Sequence, residues 1–146
     1  METRTVPPAR QMGTIEYSVS GSLHPEELGR LLHAASGSTY SSGELERVIG
    51  GSTAYVTARD SGHLVGFGRL LSDGAVIAYI NNMAVSPDYQ GLGIGQTILE
   101  ALIQAAGEVK SIYLYSNTAD AFYLRNGFES SEKRLYVRKR GGTRKV

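Results

Sequence analysis

A chain of 146 residues is long enough for one domain with a buried core. With 41% hydrophobic residues, 20% charged residues and a formal net charge of +1, it lacks the global field that recruits nucleic acid or a membrane surface. It has no cysteine, which excludes a disulfide framework, a thiolate metal site and a cysteine nucleophile. His24, His33 and His63 are scattered without metal-ligand spacing, so no metal is expected. The segment 1–12 is polar, carries Pro7-Pro8 and lacks the apolar run of a signal peptide. No stretch approaches the length of a membrane span, and a cytoplasmic location is expected. Residues 1–12 are read as a flexible segment and 141–146 as a flexible basic tail. The basic residues Arg138, Lys139, Arg140, Arg144 and Lys145 read as a solvated end.

In chain order, Thr14 to Ser20 alternates Ile15, Tyr17 and Val19 with polar neighbours and reads as a strand. His24-Pro25-Glu26-Glu27 opens a helix with proline at its first position and acids in its first turn, and Leu28, Leu31, Leu32 and Ala35 follow at helical spacing. Ser36 to Ser42 is a loop. Ser41 and Glu44 then form a capping-box pattern ahead of Leu45, Val48 and Ile49. Three strands come next: Ser52 to Arg59, His63 to Leu71 and Ala75 to Val85. The polar turns Asp60-Ser61-Gly62 and Asp73-Gly74 make them an antiparallel meander. The loop Gln90 to Gly95 opens a helix bearing Ile94, Ile98, Leu99, Leu102, Ile103 and Ala106. Ile112 to Tyr115 reads as a strand, Ala119 to Asn126 as a helix stopped by Gly127, and Leu135 to Arg138 as a last strand. Without repeats or a linker, the chain reads as one α+β domain over 13–140.

The segment Gln90-Gly91-Leu92-Gly93-Ile94-Gly95 is the strongest motif. Glycines let a backbone approach a ligand closely, and the N–H groups of a helix N-terminus point at a phosphate. A P-loop is excluded because Gln96, not lysine, follows Gly95 ahead of Thr97. A Rossmann fingerprint is excluded because position 96 is glutamine and Ile112 to Tyr115 carries no acid.

These residues resemble the signature of the GCN5-related N-acetyltransferase (GNAT) superfamily, Arg/Gln-x-x-Gly-x-Gly/Ala. Met83-Ala84-Val85-x-Pro87 is similar to the strand that enters that loop, and Ala121-Phe122-Tyr123-Leu124-Arg125-Asn126-Gly127-Phe128 to a later family element. The close resemblance covers Leu64 to Phe128, and Val65 to Gly74 resembles a branch of small bacterial and chloroplast amine acetyltransferases. It implies a mixed, mostly antiparallel sheet, splayed at an acetyl-CoA site and flanked by about four helices.

The resemblance also implies roles. Backbone groups of Met83, Ala84 and Val85 would bind the pantetheine arm, and one of their N–H groups would polarise the thioester carbonyl. Gln90 would begin a pyrophosphate cradle made by the amides of Gly91, Leu92, Gly93, Ile94, Gly95 and Gln96. Acetyl-CoA would serve as cosubstrate. Tyr123 matches the family's general acid, and a phenol near its ordinary pKa of about 10 can donate at neutral pH; packing on the acyl chain is its other reading. Phe122 and Phe128 read as core. The positions where relatives carry an acid or histidine base hold Tyr79 and Asn81, which share a strand face and suit a water relay. Asn82 is expected on the opposite face. Asp73 and Asp120 are further candidates for the base. Asn117 resembles an asparagine that contacts the CoA arm, one residue nearer Tyr123 than the commonest spacing; a cap for the helix near Ala119 is its other reading.

The acceptor would lie between the first two helices and the final strands, near Tyr40, Arg69 and Asp73. A small primary amine is the favoured acceptor, with a protein N-acetyltransferase as an alternative. A catalytically weak acyl-CoA-binding module and a nucleic-acid binder acting through the basic end are rival classes. Many family members self-associate, which extends the resemblance to a homodimer, although no interface is legible.

Overall fold

The computed structural model describes residues 14–140; the expected flexible segments 1–12 and 141–146 lie outside the described residues. Contacts gather the chain into two compact units, Met1–Leu114 and Tyr115–Val146.

The first unit runs β1 (Ile15–Val19), α1 (Pro25–Ser36), α2 (Ser42–Gly51), β2 (Ala54–Asp60), β3 (His63–Ser72), β4 (Ile77–Val85), a 3-10 turn (Pro87–Tyr89), α3 (Ile94–Ala106) and β5 (Ser111–Tyr113). The helix starts follow their local chemistry. His24 caps α1 while the Glu27 carboxylate accepts its N–H at 3.0 Å. Ser41 and Glu44 exchange bonds of 2.8 and 3.1 Å at the head of α2, the expected capping box.

The strands lie in the order β1-β2-β3-β4-β5. The first four pair antiparallel with their sequence neighbours, and β5 runs parallel to β4. The turn Ser61-Gly62 has both residues at positive φ, 51° and 86°, which matches the strand twist and fixes Asp60 opposite His63. One face of the sheet packs on α1 and α2 through Leu28, Leu31, Leu32, Leu45, Tyr55, Phe67 and Ala84. The other face carries α3. There Gly66 and Gly68 admit close packing: a Cβ on Gly66 would meet Ile98 at 2.8 Å, and one on Gly68 would meet Leu102 at 2.9 Å. Glycine inside a strand here marks the approach of a helix.

The second unit contains α4 (Asp120–Arg125), followed by Gly127 at φ 87°. The strand expected at Leu135 to Arg138 does not form. Leu135, Tyr136 and Val137 are exposed, and no strand pairs with them among the described residues. Their side-chain propensity favours a ladder, but a strand is stabilised by its partner rather than by propensity alone.

Candidate active site

The site begins where the sheet opens. β4 pairs with β5 through Ile77, Ala78 and Tyr79, opposite Ser111, Ile112 and Tyr113. Beyond Tyr79 the strand continues to Val85 with β3 on one edge and no described strand on the other. That is the expected splay, and it leaves a strand edge that an extended ligand can join as a β-strand would.

The same strand leads into the glycine loop. The 3-10 turn closes with Tyr89 N–H on Ser86 O at 2.8 Å, and the Gln90 amide donates to the Val85 carbonyl at 3.0 Å. Gln90 therefore braces the loop through its side chain. Gly91 and Gly93 take φ of 79° and 88°, a conformation glycine adopts without steric cost. A Cβ at either would meet nothing within 4 Å, so both backbones face open space. Gly93 is the N-cap of α3, no side chain caps the helix, and no acid occupies its first turn. A helix start leaves N–H groups without intrahelical acceptors and carries partial positive charge. The Gly91 to Gln96 segment thus has the donors, the polarity and the room that a pyrophosphate requires. Inside the helix, Gln96 donates to Glu100 at 2.8 Å.

Met83, Ala84 and Val85 form the open edge. Ala84 belongs to the α1/α2 cluster, while the Met83 sulfur lies 2.7 Å from where a Gly68 Cβ would stand, on the α3 side. The ladder explains this arrangement. Phe67 pairs with Ala84 and Arg69 with Asn81, so two residues, Asn82 and Met83, oppose Gly68 alone. This is a β-bulge, and Asn82 sits in it at φ 56°. Asparagine tolerates the left-handed region better than most side chains.

The bulge corrects the expected orientation of Asn82. Alternation would send its side chain to the face opposite Asn81. Instead, Arg69 Nε donates to Asn82 Oδ1 at 3.0 Å, and Asn82 Nδ2 donates to the Tyr40 hydroxyl at 3.4 Å. Tyr40 packs on the α1/α2 cluster, so this network lies on the face shared by Tyr79, Asn81 and Arg69. The network escaped sequence reasoning. Its trace was Asn81-Asn82, two poor strand formers inside an apolar strand.

Two candidate bases resolve differently. Asp73 Oδ1 accepts the amides of Ala75, Val76 and Ile77 at 2.8, 2.7 and 3.1 Å, which hold its carboxyl below the usual carboxylate range. It braces the turn and is a weak proton acceptor. Asp120 is exposed at the start of α4. A separate cavity of about 230 Å³ lies between α1 and the start of β3, lined by Glu27, Arg30, His63 and Ser86 among others. Its carboxylate, Glu27, is bound by Arg59 at 2.6 Å and held down to about 2, so it too is no base at neutral pH.

In the second unit, Tyr123 stands between Phe122 and Phe128, with ring centroids 4.9 and 5.8 Å away in edge-to-face geometry. Phe122 and Phe128 are half-buried and act as its packing partners. Burial pushes the Tyr123 phenol above its ordinary pKa, keeping it protonated at neutral pH. Asn117 is exposed and does not cap α4; the Ala119 N–H is taken by Ser116 Oγ at 2.9 Å. Among the described residues, no group of three or more histidines, aspartates and glutamates is gathered to hold a metal, and no helix is long and apolar enough to cross a membrane.

Comparison with known proteins gives this arrangement its class. The family model of the acetyltransferase (GNAT) domain matches residues 50–130. The chain belongs to the GNAT acetyltransferase family. It is 38% identical over 68 residues to the uncharacterized N-acetyltransferase ycf52 of Pyropia yezoensis, a match covering 44% of this chain and 39% of that protein. The chain thus aligns with about two fifths of that relative's length. A solved Staphylococcus aureus protein, described as a probable acetyltransferase, shares the fold at a TM-score of 0.76 and 24% identity, over 86% of this chain and 100% of its own. AAC(6')-Iy, solved with the bisubstrate analogue CoA-S-monomethyl-acetylneamine, shares it at a TM-score of 0.68 and 14% identity, over 88% of this chain and 100% of its own.

Proposed function

We propose that this protein transfers the acetyl group of acetyl-CoA to a small primary amine, which attacks the thioester directly in a ternary complex. The observation that carries this reading is the uncapped, glycine-lined start of α3, reached directly from the unpaired edge of β4. Family membership supports acetyl-CoA as the donor.

In this reading the amides of Gly91 to Gln96 hold the pyrophosphate, and Gln90 keeps the loop in shape. The backbone of Met83 to Val85 binds the pantetheine arm and offers an N–H to the thioester oxygen. With no cysteine in the chain, no acyl-enzyme thioester forms on the protein. Tyr123 donates a proton to the departing thiolate. Tyr79 and Asn81 offer a hydroxyl and an amide rather than a carboxylate or imidazole, so they orient a water that carries the amine proton outward rather than accepting it themselves. Asn117 contributes a polar contact to the CoA arm. Cytoplasmic action and a homodimer belong to the proposal, and fractionation and sedimentation test them.

The deciding experiment is calorimetric titration of acetyl-CoA followed by an amine screen with thiol-release detection. Saturable binding and turnover on free amines establish the reading. Turnover only on peptides redirects it to a protein acetyltransferase. Binding without turnover on any amine makes the protein an acyl-CoA-binding module, and no binding removes the cradle.

A further inference from the structure

Arg69 occupies a position that acetyl transfer does not explain. It lies on β3 in register with Asn81, two pairs away from Leu71 opposite Tyr79. Residues paired across a ladder share a face, so Arg69 stands beside the two residues placed nearest the attacking amine. Its side chain is half-buried, and its one bond among the described residues runs from Nε to Asn82 Oδ1. No described carboxylate pairs with it. The guanidinium is therefore held through Nε by a neutral amide, which is itself steadied by Tyr40, and neither terminal nitrogen is committed to an acceptor among the described residues.

A partly desolvated guanidinium without a counter-charge is an unfavourable arrangement that an anion relieves. Its planar fork matches a carboxylate in two parallel bonds. The surrounding Tyr40, Tyr79, Asn81 and Asn82 bring no carboxylate, so the site offers the one positive charge of the guanidinium. One charge balances a carboxylate and leaves a phosphate monoester overcharged. We propose that Arg69 is a specificity residue of the acceptor side and that the preferred acceptor is an amine bearing a carboxylate. This inference rests on the acetyl-transfer reading above and narrows its substrate class.

The test uses the full chain, acetyl-CoA and matched amines: tyramine against L-tyrosine, cadaverine against L-lysine, with O-phosphoethanolamine as the phosphate control. The carboxylate-bearing member of at least one pair is expected to lead in kcat/KM by about tenfold to a hundredfold, the range of a charged hydrogen bond. Arg69→Met should bring that ratio toward one. Arg69→Lys keeps the charge but loses the fork and should give an intermediate ratio, an outcome that a purely structural role does not produce. Acetyl-CoA titration of each variant reports whether it is folded, and Arg69→Lys carries the test if Arg69→Met is not. Equal kcat/KM within every pair, a ratio that neither variant moves, or a preference for the phosphate overturns the inference. Acetyl-CoA binding with no amine turned over instead fails the transfer reading itself, and the inference falls with it.

Discussion

The Tyr89 hydroxyl donates to Asp60 Oδ2 at 2.5 Å, tying the 3-10 turn ahead of the glycine loop to the end of β2. Tyr89 is 8% exposed and Asp60 is half-buried, so the bond is partly shielded from water. It anchors one end of the cradle to the antiparallel core, while Gln90 on Val85 anchors the loop to its own strand. Tyr89→Phe keeps the packed ring and removes the donor. The Kd for acetyl-CoA should rise about threefold to tenfold, the net worth of one hydrogen bond, with a small fall in melting temperature. Calorimetry on the two proteins checks this, and an unchanged Kd would show that the turn needs no such anchor.

Gly93→Asp tests the cradle from inside. The new side chain must adopt φ 88°, which disfavours any residue with a Cβ, and it adds negative charge where phosphates would sit. Affinity for acetyl-CoA should fall by about tenfold or more. A Cβ there meets no neighbour within 4 Å, so melting should change little by comparison. Wild-type affinity in this variant would refute the cradle.

Tyr123→Phe should lower turnover about a hundredfold while leaving the Kd for acetyl-CoA within about twofold, since general-acid groups contribute on that scale. Burial raises the phenol pKa, so the protonated form that donates persists at neutral pH and is lost only as pH rises through the raised value. The wild-type rate should therefore show no alkaline loss from this group below about pH 10. Stopped-time assays across pH, run beside the phenylalanine variant, separate this from simple packing: unchanged turnover would end the acid assignment.

Glu27 and Arg59 set an acid limit on stability. The Arg59 guanidinium, bonded to both carboxylate oxygens at 2.9 and 2.6 Å, holds Glu27 down to about 2. A folded-state pKa below the unfolded value of about 4.3 contributes stability that is complete above that value and is lost as pH falls toward 2. Glu27→Gln should be less stable than wild type at pH 7, and the gap should narrow steadily below about pH 4. Denaturant titrations at a series of pH values check the slope. A gap that stays constant with pH would mean the ion pair is not what links α1 to β2.

Much of the architecture was legible because its signals were local. Pro25, the Ser41–Glu44 box and the Ser61-Gly62 turn each declared a boundary through backbone chemistry that acts within a few residues. The cradle was legible for the same reason, since it is built from consecutive amides. Features that depend on distant partners were not. The apolar run Leu135 to Val137 suggested a strand without saying whether a ladder awaited it. Gly66 and Gly68 carry no local signal of a partner, yet they are where Ile98 and Leu102 of α3 come closest. The Arg69–Asn82–Tyr40 contacts join residues 13 and 42 positions apart, and they depend on a bulge that strict alternation cannot represent.

That bulge makes foldability and chemistry separable at one position. Deleting Asn82 would let Gly68 pair with Met83, between Phe67 opposite Ala84 and Arg69 opposite Asn81, and the ladder would run unbroken. Every neighbouring side chain would keep its present face. The extra residue is not needed for the pairing on either side of it, and its side chain is the one that bonds Arg69 and Tyr40. A shortened chain lacking only Asn82 is the natural blank scaffold for the proposed selectivity, a version that retains the ladder and lacks the amide that holds Arg69.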